Sequence, residues 1–252
     1  MPTKDNAILF FKEAKRRELL VEFLYASALK KRFSCYGHFY AWRRGAEEYS
    51  CRSVLEIVDE SVDTAEPNRL WERRADAVVV MMNPGSSRPL NRGWESEVRS
   101  YPEVNLQEKV LVLTQPDNTQ YQVMRVAVAC GWSHVRVLNL SDLRDPKSGS
   151  FLERLNALED DSKGGLHSLF SAERSRECAV GLRRRLEPIL VGWGQDMRLI
   201  QLAEQCVNRL DGAPIVGVES SIHPVLNAHP SPMLQRMKVA WLEQIIEQLE
   251  HV

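Results

Sequence analysis

Residues 77–85 read Ala77-Val78-Val79-Val80-Met81-Met82-Asn83-Pro84-Gly85. Six apolar residues in succession, with no polar residue alternating between them, describe a strand covered on both faces. Asn-Pro-Gly ends it abruptly, since proline removes a backbone donor and glycine lets the chain turn. Three later short, largely apolar runs follow: Val135-Arg136-Val137-Leu138-Asn139-Leu140, Pro188-Ile189-Leu190-Val191-Gly192-Trp193 and Pro214-Ile215-Val216-Gly217-Val218. Short apolar runs alternating with helical stretches are the pattern of βαβ units. The expectation is an α/β fold, a three-layer α/β/α domain over residues 75–252 with a central four-stranded, mainly parallel sheet.

Between the first two runs, Asp117 or Asn118 can cap a helix whose Tyr121, Met124 and Val128 share one face, with Gly131 at its end. Further helices are expected over Ser171–Arg185, Met197–Leu210 and Gln235–Glu250. Asp160-Asp161-Ser162-Lys163-Gly164-Gly165 reads as a polar loop, and Val110–Leu113 fits either a strand or the apolar side of a loop. Upstream, Thr3–Lys31 is rich in Leu, Ala, Glu, Lys and Arg, which suits one or two amphipathic helices. His38–Arg43 and Ser53–Val62 have β character and flank the turn-like Gly45–Glu48. Residues 1–74 are thus expected to form a helical and β elaboration packed on the core.

The 252 residues are 44% hydrophobic and 27% charged, an ordinary globular composition. A formal net charge of −1 excludes a polycation that coats nucleic acid indiscriminately, so contact with DNA must come from a local patch. Charges at Lys12, Glu13, Lys15, Arg16, Arg17, Glu18 and Glu22 interrupt the apolar stretch from Ala7 to Leu29, which excludes a membrane span or signal core there. A cytoplasmic protein with no membrane partner is expected. The five cysteines, Cys35, Cys51, Cys130, Cys178 and Cys206, never form a C-x-x-C pair. Their scatter argues against disulfides, zinc and iron–sulfur clusters, so no metal or cofactor is expected.

In an open α/β sheet, ligands bind beyond the carboxyl ends of the strands. Those ends are Asn83-Pro84-Gly85-Ser86-Ser87, Asn139-Leu140-Ser141-Asp142, Gly194-Gln195-Asp196 and the segment leading to His229-Pro230-Ser231-Pro232. Asn83 offers a donor and an acceptor from one short side chain, although Asn-Pro-Gly also makes an ordinary turn. Asn139 can hydrogen-bond a nucleobase edge, or satisfy nearby backbone. His229 is a titratable group in a segment stiffened by two prolines. Trp193 fits the core or a stacking platform. Arg88, Arg92, Arg99, Arg144, Lys147, Arg198, Arg236 and Lys238 lie in or after the same loops, where they either form a basic patch or are simply solvated.

Taken in order, Met82-Asn83-Pro84-Gly85, Leu138-Asn139-Leu140, Gly192-Trp193-Gly194-Gln195 and His229-Pro230-Ser231-Pro232-Met233 resemble the motifs of the uracil-DNA glycosylase superfamily. The resemblance runs from about Ala75 to the C-terminus. It is closest to a bacterial branch with an M-x-N-P-S/G start and a V-x-N-L-x-x-x-R-x-P stretch, matched by Val137–Leu140 through Arg144-Asp145-Pro146. It implies a DNA glycosylase acting on a flipped-out pyrimidine in single- or double-stranded DNA, in repair or phage defence. Asn83 and His229 would be catalytic, the first orienting water and the second donating to the base carbonyl. Met82, Gly85, Trp94 and Asn139 would bind the base, with Trp94 stacking on the ring. Ser86, Gly194, Gln195, Ser231 and Arg236 would contact the DNA backbone, and Met233 would serve as the wedge. The most uracil-specific members carry an Asp and a Tyr where this chain has Asn83 and Gly85, which implies room beside pyrimidine C5 for thymine or a 5-modified pyrimidine. Gln195 departs from the usual Ser. Two other readings fit the composition: a non-catalytic nucleic-acid-binding or sensor protein on the same fold, and a nucleoside or nucleotide hydrolase.

Overall fold

The computed structural model describes residues 23–100, 108–159, 164–186 and 188–251. Two long N-terminal strands, β1 (Phe33–Arg44) and β2 (Glu47–Asp59), form an antiparallel hairpin across residues 45–46. They are followed by β3 (Ala77–Met81), β4 (Arg88–Pro89), β5 (Val98–Ser100), β6 (Leu111–Gln115), β7 (His134–Asn139), β8 (Ile189–Gly192) and β9 (Ile215–Val216). The helices are α1 (Ala26–Arg32), α2 (Asn118–Cys130), α3 (Ser148–Glu159), α4 (Ser175–Gly181), α5 (Ile200–Arg209) and α6 (Gln235–Glu250). Of the helical stretch expected over Thr3–Lys31, α1 covers the end, and residues 1–22 lie outside the described residues, as do 160–163 of the expected polar loop.

The four apolar runs are the four strands β7, β3, β8 and β9, mutually parallel in that order. The expectation of a four-stranded, mainly parallel sheet is nevertheless corrected, because the sheet does not end at β7. It continues antiparallel through β2, β1, β6 and β4, giving the order β4-β6-β1-β2-β7-β3-β8-β9, with β5 also paired to β1. The fold is α/β with a mixed sheet. The physical reason is that residues 54–58 of β2 are buried throughout, so this strand needs a neighbour on each side and cover on both faces.

Side-chain alternation divides the core in two. Val78 and Val80 point to one face, joining Val54, Leu138, Phe151, Leu155, Val191 and Leu202. Ala77, Val79 and Met81 point to the other, joining Leu55, Ile57, Met124, Ala127, Val137, Trp241 and Ile245. Residues of α3 and α5 therefore cover the first face, and residues of α2 and α6 the second. Helix α2 begins with the expected cap: Asp117 accepts from the amides of Thr119 and Gln120, and the Gln120 side chain returns a bond to the Asp117 amide. Gly131 closes it. Val110–Leu113, left open by periodicity, contributes to β6. Helix α6 has the expected bounds, α4 is shorter than the segment expected around it, and α3 was not anticipated.

A buried ionic cluster joins the antiparallel half to the parallel half. Glu56 on β2 accepts from Arg136 Nε at 2.7 Å and pairs with His134 Nε2 at 2.8 Å, both on β7. Arg136 donates its remaining hydrogens to the carbonyls of Leu70, Trp71, Arg73, Val180 and Gly181. Burial pushes the Glu56 pKa up, but the Arg136 charge and the His134 bond outweigh it and hold it below the ordinary carboxylate value. Replacing Glu56 with alanine leaves Arg136 buried without its counter-charge. Urea denaturation of Glu56→Ala at neutral pH should show a loss of about 3–5 kcal/mol. A loss below about 1 kcal/mol, the worth of an exposed pair, would contradict this role.

Candidate active site

The strand ends of β3, β7 and β8 and the His229 loop enclose a cleft of about 1030 Å³. Register explains the convergence. Met81 is paired with Asn139 on one side and Gly192 on the other, so three strand-end segments leave the sheet at one level. Ten of the twelve site residues expected from sequence line the cleft: Met82, Asn83, Gly85, Ser86, Asn139, Gly194, Gln195, His229, Ser231 and Met233. Trp94 and Arg236 do not. Trp94 instead packs edge-on to Phe39, with centroids 5.8 Å apart. Arg236 is exposed in the first turn of α6.

Asn83 is held in one orientation. Its Nδ2 donates to the carbonyls of Asp145 at 2.9 Å and Leu143 at 3.3 Å, which leaves Oδ1 to accept from a group in the cleft. Gly85, at φ 62°, turns the chain in a left-handed conformation, and a Cβ there would lie 3.0 Å from Asp117 Oδ2.

Asn139 is fully buried, and among the described residues neither Nδ2 nor Oδ1 has a hydrogen-bond partner. An unpaired buried carboxamide costs about 1–3 kcal/mol per group. That cost is recovered when a ligand supplies the missing partners.

His229 is fixed from both sides. The end of β8 packs so closely on the loop that a Cβ on Gly192 would lie 2.8 Å from Pro230 Cδ. Gly194 donates its amide to the Asn227 carbonyl at 2.8 Å, Trp241 Nε1 donates to Ala228 O, and Gln122 Nε2 donates to Pro230 O. The Ser231 amide donates to His229 Nδ1 at 3.2 Å, which puts the imidazole proton on Nε2. Burial lowers the pKa of His229, against the opposing pull of the Asp117 charge. A neutral, Nε2-protonated imidazole is a hydrogen-bond donor, and it neither takes a proton at neutral pH nor repels a cation.

Trp193 belongs to the core: it is fully buried and its indole donates to Val225 O at 3.0 Å. Of the expected basic patch, Arg88 and Arg198 line the cleft, and Arg198 is held by Asp196 at 2.7 and 2.9 Å. Arg144 turns away, stacking over Phe39 and donating to Ser87 O. Residues that sequence reading missed also line the cleft, among them Arg52 from β2, Tyr121 and Asp145. Arg52 had only one signal, a charge standing at the head of an apolar strand segment. Among the described residues, no group of three or more His, Cys, Asp or Glu could hold a metal ion, and no helix is long and apolar enough to cross a membrane.

Long-range ¹H–¹⁵N NMR tests the histidine assignment: His229 should carry its proton on Nε2 at pH 7 and titrate with a midpoint below the ordinary 6.5. Because the unfolded chain takes that proton first, His229 lowers stability as pH falls below 6.5. An Nδ1-protonated ring, or a midpoint above 6.5, would contradict it. Compared with known proteins, the chain matches no family model, no curated protein and no solved structure.

Proposed function

We propose that the chain is a DNA glycosylase that hydrolyses the N-glycosidic bond of a pyrimidine flipped out of the stack. The observation that carries this reading is Asn139, a buried carboxamide with one donor and one acceptor unpaired, in the same cleft as a fixed acceptor on Asn83 and a fixed donor on His229. A pyrimidine edge presents the complementary pair of groups. Extrusion of the nucleotide is required because the glycosidic bond is out of reach inside a duplex.

In the proposed reaction Asn83 Oδ1 accepts from a water and aims its oxygen at the anomeric carbon. The water oxygen bonds to that carbon as the bond to the ring nitrogen breaks, the electron pair of the broken bond leaves with the base, and the proton shed by the water passes through solvent to the departing base. His229 Nε2–H donates to a base carbonyl oxygen as negative charge accumulates there, an interaction stronger in the transition state than in the ground state. Asparagine is a poor base, so the rate enhancement rests on positioning and on charge stabilisation. Met233, 99% exposed at the rim, has the shape and flexibility to fill the space vacated in the stack. Ser86, Gly194, Gln195 and Ser231 stand around the mouth, where flanking phosphates would pass. Gly85 puts no side chain of its own beside the ring, only backbone with the Asp117 carboxylate beyond it, and the absence of a large side chain there suits thymine or a 5-modified pyrimidine as well as uracil.

The test is an abasic-site assay on single- and double-stranded oligonucleotides carrying uracil, mismatched thymine, and 5-hydroxymethylated or glucosylated cytosine. Asn83→Ala and His229→Ala should each lower the single-turnover rate by about 10²–10³-fold on whichever base is released. Base release that survives both substitutions would overturn the mechanism. Release of uracil with every 5-substituted pyrimidine left untouched would overturn the role given to Gly85.

A further inference from the structure

Among the described residues, three arginines are no more than 5% exposed, and they are not treated alike. Arg136 is saturated by Glu56 and five backbone carbonyls. Arg174 is paired with Glu177 through Nε and Nη2 and with Asp142 through Nη1, and it donates as well to Leu166 O. Arg52 is 0% exposed, yet its Nε and Nη1 have no partner among the described residues. It lines the cleft together with Asn139, the other fully buried residue there whose polar side-chain atoms are unpaired.

The groups around Arg52 do not complete it. Asp117, whose charge acts most strongly on it, accepts from Thr119, Gln120 and Ser86. Asp142 directs Oδ2 to Arg174 and Tyr40, and Arg144 is a like charge. Burial lowers the pKa of Arg52 only to about 10, so the guanidinium is still charged at neutral pH. The Arg52 amide, bonded to Asp142 O at 2.8 Å, fixes the backbone from which the side chain reaches the cleft.

A buried guanidinium whose N–H groups lack acceptors is strongly unfavourable, and the oxygens of a carboxylate or phosphate are the strongest acceptors that could complete it. We propose that Arg52 is an anion-binding residue of the cleft, its unpaired N–H groups donating to a carboxylate or phosphate carried by the ligand whose base edge Asn139 reads. The identity of the ligand as a pyrimidine rests on the function proposed above; the anion subsite rests on Arg52 alone. It places a specificity determinant on β2, in the antiparallel half of the sheet and outside the four strand-end motifs.

Isothermal titration calorimetry with uracil, 5-carboxyuracil, deoxyuridine 5′-monophosphate and inorganic phosphate tests it on the full chain, with Arg52→Met and Arg52→Lys beside the wild type. The wild type should bind at least one anionic probe about tenfold tighter than uracil, the effect of one charge-assisted pair. A preference confined to 5-carboxyuracil assigns the anion to the base, and a preference for the phosphate probes assigns it to the nucleotide. Arg52→Met should abolish the preference and Arg52→Lys should keep part of it. Arg52→Met should also melt at or above the wild-type temperature, because it removes a buried charge whose N–H groups are unpaired. Equal binding of charged and neutral probes by the wild type, or a preference that survives Arg52→Met, would overturn the subsite. An Arg52→Met protein that melts far below the wild type would assign Arg52 to folding instead. The abasic-site assay separates the two proposals: anion preference without base release sinks the glycosylase reading alone, and base release without anion preference sinks the subsite alone.

Discussion

Everything at the site depends on the parallel register that sets Met81 beside Asn139 and Gly192. A parallel ladder holds its strands in one direction, so their carboxyl ends open on the same side and their following loops must share one space. Slipping one strand by a residue would turn Asn139 to the opposite face and send its carboxamide away from the cleft. The register is held from below by the alternation of Val78 and Val80 with Val79 and Met81 into two separate cores. It is held from the flank by Glu56, which ties β2 to β7 through Arg136 and His134.

Among the described residues some buried polar groups are closed in networks while others keep unpaired atoms, and Asn139 and Arg52 are the ones of the second kind that line the cleft. Glu56, Arg136, Arg174, Glu177 and Lys109 are buried in closed networks in which each charge has an opposite partner. Such networks fix structure and need nothing from outside. Asn139 and Arg52 are buried just as deeply, and both keep unpaired atoms where the cleft reaches them. Folding has to supply the energy to hold these groups unsatisfied, which it does through the packing around them. A ligand that completes their hydrogen bonds recovers that energy as affinity and selectivity.

Much of the parallel half was legible because its signals are local. A run such as Ala77–Met82 has no polar face, so it had to be a central strand. Asp117 and Gly131 marked the two ends of α2. Asn83, Asn139 and His229 could be ranked as candidates because each follows such a run or sits between prolines. The antiparallel half was less legible because its evidence is non-local. His38 and Glu56 interrupt β1 and β2 with charge or polarity, and only partners distant in the chain, such as His134 and Arg136, 78 and 80 residues from Glu56, explain why they can be buried. Trp94 was assigned to the cleft by its place after the first motif, but a ring finds its neighbour in space, and Phe39 on β1 is that neighbour. Helix α3 did have a signal, the spacing of Phe151, Leu152, Leu155 and Leu158, all of which are buried.

The central claim is that the strand ends form a pocket in which Asn139 reads a base between Asn83 and His229. The most direct measurement is a crystal structure of Asn83→Ala bound to an oligonucleotide carrying a 2′-fluorinated deoxyuridine, whose glycosidic bond resists cleavage. The account predicts an extruded base with its edge hydrogen-bonded to both Nδ2 and Oδ1 of Asn139 and a carbonyl oxygen within reach of His229 Nε2. A complex in which the base stays stacked in the duplex, or enters the cleft while the Asn139 carboxamide remains unpaired, would contradict it.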